Sequence, residues 1–147
     1  MYINRLLTCL IIIVPMAGVS SDIKHTAELI TTAADGAEVR ILSPENNQVV
    51  SSPLTVVFGA NNVTISPAGD NQPNSGHHHL LIDIAELPDL SAPLPATEQI
   101  IHFGKGQTET VLELAPGTHT LQLLLGNYLH IPHSKPIMSE KITITVK

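Results

Sequence analysis

The sequence predicts an all-β protein, an immunoglobulin-like antiparallel β-sandwich of seven or eight strands preceded by a signal peptide and a short linker. Three observations lead there. Apolar and polar residues alternate over short runs, clusters of Pro, Gly and Asn separate those runs, and no stretch of ten or more residues keeps a helical period.

The first 20 residues carry one basic residue, Arg5, then an apolar run from Leu6 to Val14, then small residues around Ala17, Gly18 and Ser20. That order is the pattern of a secretory signal peptide, with cleavage expected near Ser20. The run is shorter than the roughly 20 apolar residues a permanent span requires, so no membrane insertion is expected after cleavage. The only cysteine, Cys9, lies inside the run and leaves with it. A periplasmic or secreted chain without cysteine has no disulfide and no thiolate metal site.

Removing residues 1–20 deletes Arg5 alone among the charged residues, so seven basic residues become six against 13 acidic ones and the net charge moves from −6 to −7. Nucleic acid is therefore not an expected partner, since the basic patches it requires are missing. Residues 21–37, rich in Ala, Thr and Asp, read as a linker, and residues 38–147 as one domain.

Within that domain the strand-like runs follow in order. "EVRIL" precedes the turn "SPENNQ"; "LTVVFGA" and "VTI" flank "NN"; "HHHLLIDI" leads into the long loop "AELPDLSAPLPATEQ". Then come "IIHF" with the turn "GKG", "QTETVLEL" with "APG", "THTLQLLLG", the loop "NYLHIPHSKPIMS" and the final "EKITITVK". Alternation assigns faces: Ile142, Ile144 and Val146 point to the core, as do Leu121, Leu123 and Leu125, with His119 opening their row. In "HHHLLIDI" the row His78, Leu80, Ile82, Ile84 is core-facing, and His77, His79, Leu81 and Asp83 share the opposite face.

Two histidines at i and i+2 on one side of a strand can grip a single ion. Seven of the eight histidines lie between His77 and His133, all at strand ends or in adjoining loops; His25 falls in the linker. Neutral imidazoles form an ordinary coordination set for copper or zinc. The candidate metal ligands are His77 and His79 as nucleus, completed from His102, His119, His130 and His133. Met138 is a further soft donor for copper, and Asp83, Glu86 and Glu109 are carboxylates that can orient imidazoles. The competing account is that each histidine donates one ring proton to a carbonyl and accepts from an amide or hydroxyl.

Catalytic motifs are scarce. "HFGKGQTE" lacks the spacing of a phosphate loop, and there is no G-x-S-x-G elbow and no H-E-x-x-H. HxH followed by "PGTH" loosely resembles the paired metal motifs of cupins, but Glu86 comes too far behind His79 and the glycine framework is missing.

The runs "GHHHLLID", "IHFGKGQTE" and "LAPGTHTLQLLLGNYLHIPHSKPIMSEKITITV" together resemble a bacterial exported family catalogued as domain of unknown function (DUF) 4399, across roughly Val39 to Val146. The resemblance implies that His77, His78, His79, His102, His119, His130 and His133 are recurrent positions, as are Gly104, Gly106, Gln107 and Gly117. It also implies that an aspartate usually stands where this chain has Asn127, a change that removes a charge while keeping an acceptor oxygen. The sequence therefore points first to an exported protein that holds copper or zinc through a histidine cluster, with the metal ion and another exported protein as partners. Second comes a non-catalytic interaction module with a structural histidine network, and third a metal-dependent enzyme with cupin-like chemistry.

Overall fold

The computed structural model describes residues 29–147. The expected signal peptide and the first part of the expected linker lie outside the described residues. Among those residues the elements are nine strands: β1 (Glu38–Ser43), β2 (Val49–Val50), β3 (Leu54–Asn61), β4 (Thr64–Ile65), β5 (Ser75–Ile82), β6 (Ile100–His102), β7 (Glu109–Leu112), β8 (Gly117–Gly126) and β9 (Ile142–Val146). The all-β expectation is met.

A three-stranded sheet runs β1-β3-β7 and a six-stranded sheet runs β2-β9-β8-β5-β4, with β6 also pairing β5. Strand count and direction differ from the expected antiparallel seven or eight. The two-residue strand β2 is too short to show alternation, and both β2–β9 and β4–β5 are parallel pairings.

One core joins the two sheets. Val39, Val56, Phe58 and Leu112 from the smaller sheet meet Leu80, Leu121, Leu123, Leu125, Ile142, Ile144 and Val146 from the larger. The assigned apolar rows of β8 and β9 thus face inward as their alternation required. Burying such side chains is worth about 1.5–3 kcal/mol each.

The central strand β5 is buried along its whole length, on both faces. Its outer face is covered by a second apolar cluster of Leu81, Leu94, Ile100 and Leu124, with Ile84, Leu90 and Met138 against it. Leu94 and Leu90 come from the long Pro-containing loop, so that loop is a cover and not a mere connection.

Two expected details change at Asp83. Its φ of 54° ends β5 at Ile82, and Ile84 then turns to the outer cluster instead of continuing the core row. The Asp83 carboxylate accepts from Thr120 N at 2.7 Å, which stabilises the break. Residues 29–37 of the expected linker lie against the domain, with Ala33 and Ala37 packed on the core.

Candidate metal centre

Pleating sends His77 and His79 together from β5 toward its outer face. Register supplies the third imidazole, because β6 runs antiparallel to β5 with His102 directly opposite His79. The fourth comes from a turn. After β8 the chain folds so that His130 N donates to Asn127 O at 2.9 Å, and His130 adopts a left-handed φ of 67°.

Asn127 organises that turn. Its Oδ1 accepts from Leu129 N at 2.8 Å and Ile131 N at 3.1 Å, and its Nδ2 donates to Leu29 O at 2.9 Å. An aspartate could accept the first two bonds but could not donate the third. The amide therefore ties the turn that carries His130 to the segment leading into the domain.

Ligand nitrogens of His77, His79, His102 and His130 all lie within 4.8 Å of one another. The six ring-centroid separations span only 4.6 to 6.0 Å. Near-equality of all six is the signature of a tetrahedron, since a planar square of the same edge would have diagonals of about 6.8 Å. Zinc–nitrogen bonds of about 2.0–2.1 Å would set ligand nitrogens about 3.3–3.4 Å apart, so the widest separations in the group would close by on the order of 1 Å.

Glycines clear the space. A Cβ on Gly126, which pairs with His77 across β5–β8, would stand 2.7 Å from His79 Cε1 and 3.2 Å from His130 Cα. A Cβ on Gly104 would stand 2.6 Å from His102 Nε2. Neither glycine is required here by a positive φ; each is a place where imidazole occupies the side-chain volume.

Hydrogen bonding within the group is sparse. His77 Nε2 and His130 Nδ1 lie 3.0 Å apart, one donating to the other. By contrast His77 Nδ1, both ring nitrogens of His79, and His102 Nε2 are buried with no partner among the described residues. Each such atom costs about 1–3 kcal/mol unless something occupies its lone pair or takes its proton.

Burial, followed by the neighbouring imidazoles of His130 and His102, pushes the His77 pKa down to about 4. Burial and then His77 take His79 down to about 3. His102 is also lowered, by burial and then by His130. His77, His79 and His102 are thereby held toward the neutral form, the only one with a lone pair to give.

The other two histidines of the expected ligand set stand apart. His119 sits at the far end of β8, where Nδ1 donates to Asp83 Oδ2 at 2.7 Å and Nε2 to Ala115 O at 2.9 Å. Both partners are acceptors, so the ring needs both protons, and the Asp83 hydrogen bond raises its pKa. Half-buried, it is held by the left-handed break at Asp83 instead of opening the core row. His133 is buried outside the group of four; its Nδ1 is paired with Thr31 Oγ1 at 2.7 Å and its Nε2 has no partner among the described residues.

No carboxylate joins the group of four among the described residues; Glu86 and Glu109 are exposed. Met138 packs against the outer apolar cluster. In the sequence Gly104 reads as a turn residue and Gly126 carries no signal of a role. Their packing against imidazoles leaves no periodic signal, although each stands beside a strand end.

Among the described residues no helix is long and apolar enough to cross a membrane. The model of a family described as domain of unknown function (DUF4399) matches residues 56–147. No curated protein and no solved structure matches the chain.

Proposed function

Because the chain belongs to the DUF4399 family, whose description names no activity, we propose a function from the histidine group itself: an exported protein that binds one copper or zinc ion through His77, His79, His102 and His130. The observation that carries this reading is the convergence of four imidazoles from three separate segments, with buried nitrogens that have no partner among the described residues. A structural network would be expected to pair those nitrogens, and only one hydrogen bond links the four rings. That sparseness favours an ion over a network. A closed four-nitrogen set leaves no open position for substrate, which favours holding or carrying the ion over catalysis.

Export is part of the proposal and rests on the order of Arg5, apolar run and small residues at the N-terminus. For the frame, the core shared by two sheets supports an immunoglobulin-like sandwich with an enlarged second sheet.

The test is elemental analysis of untagged protein after exposure to copper or zinc and exhaustive dialysis. One ion per chain is expected for the wild type. His102→Ala and His130→Ala, at the half-buried positions, should lower affinity at least tenfold while the fold persists. His77→Ala with His79→Ala should abolish binding, with a stability cost, since both rings are fully buried. A wild type that retains no ion defeats the reading.

A further inference from the structure

The charge of the site narrows the ion, on the premise that the four-histidine reading is right. Every donor is an imidazole, which coordinates as a neutral ligand, and the only cysteine of the chain lies in the N-terminal apolar run. Two of the rings, His77 and His79, are 0% and 1% exposed. On the same face of the sheet lie Leu81, Leu124 and Ile100 of the outer cluster, and among the described residues none of the buried polar ones is acidic. The other two rings, His102 and His130, are half-buried, so an ion seated between the four keeps its full charge with an apolar cluster on one side.

The cost of burying an uncompensated charge grows with its square, so a dication is penalised about four times as heavily as a monocation of like radius. Three-imidazole zinc sites relieve that penalty through the open fourth position, where bound water loses a proton near pH 7 and supplies a negative charge. Here the fourth position is His130 or His102, and no such water is available. Geometry adds a second discrimination, because Cu(II) prefers tetragonal coordination and the near-equal ring separations describe a tetrahedron. Cu(I), a monocation with a filled d shell and no tetragonal preference, meets both conditions.

We infer that the four-histidine site selects its ion by charge and takes copper as Cu(I) in preference to Cu(II) and Zn(II). The experiment is anaerobic competition of the full mature chain against chelators of known strength, with Cu(I), Cu(II) and Zn(II) each supplied alone, and a midpoint potential measured on the copper-loaded protein. Cu(I) should be held at least tenfold more tightly than Cu(II), which raises the midpoint at least 59 mV above that of the free couple. It should exceed Zn(II) by a similar factor. His102→Asp, which puts one negative charge into the set, should shift the Zn(II) to Cu(I) affinity ratio at least tenfold toward zinc.

Equal affinity for the three ions in the wild type overturns charge selection and leaves the metal site standing. Binding of none of them overturns the site itself. The wild-type ratios decide between these outcomes whatever the stability of the variant.

Discussion

Adjacent residues of one strand have opposite roles here. His77 and His79 belong to the candidate metal group, whereas His78 between them points into the core, fully buried, with its ring centroid 5.1 Å from that of Phe58. Neither His78 nitrogen has a partner among the described residues, and burial takes its pKa down to about 4. Replacing an unpaired buried polar group by an apolar one of similar shape removes a desolvation cost. His78→Phe should raise stability by about 1–2 kcal/mol and leave ion affinity unchanged; a loss of stability in urea denaturation would show that an unseen partner satisfies the ring.

The three low pKa values also fix a pH dependence for the ion-free protein. Above pH 6.5 the imidazoles are neutral folded and unfolded, and pH has no leverage. Below it the unfolded chain binds protons that the folded chain refuses until about pH 4 at His77 and His78 and about pH 3 at His79. Stability therefore falls as pH drops through that window, by up to about 1.4 kcal/mol per pH unit for each ring held neutral. His119 has the opposite sign: its raised pKa favours folding at low pH, and that contribution is lost as pH rises through the raised value. Its Asp83 partner is 40% exposed, so solvent screens the pair and the buried rings dominate. Urea midpoints should be lower at pH 5 than at pH 7; equal midpoints would mean that the rings are not kept neutral.

At the scale of elements, the site depends on register. Pairing of β5 with β6 sets His102 against His79, and pairing of β5 with β8 sets Gly126 against His77. A slip of one residue would move every imidazole of β5 to the wrong face. Gly126→Ala tests the cradle directly, since the added methyl would meet His79 Cε1 at 2.7 Å and the His130 backbone, neither of which can yield without opening the group. Ion affinity should drop at least tenfold while circular dichroism keeps its β signature. Unchanged affinity would mean that the rings bind from another arrangement.

For the whole molecule, the shared core and the absence of cysteine beyond the apolar N-terminal run mean that folding relies on apolar burial, to which the proposed ion would add its binding free energy. Leu29 and Thr31 reach Asn127 and His133, so the chain entering the domain is fastened to the loop that carries His130. That fastening lies close behind the expected cleavage near Ser20. Mass spectrometry of protein from its native host should show a start near Ser21, and a soluble cytoplasmic protein retaining Met1 would refute export.

The sequence by itself determined the all-β class, the inward rows of β8 and β9, and the projection of His77 and His79 from one side of β5. All three follow from the two-residue period of a strand, a local property that the order of residues carries. Which further imidazoles complete the group was decided only in three dimensions. His102 arrives by strand pairing and His130 by a turn built on Asn127, whereas His119 is drawn off by Asp83 and His133 by Thr31. Eight histidines look alike in a string of letters. Pairing, turn geometry and the volume left free by Gly104 and Gly126 separate them, because convergence on one point depends on contacts between segments distant in the chain.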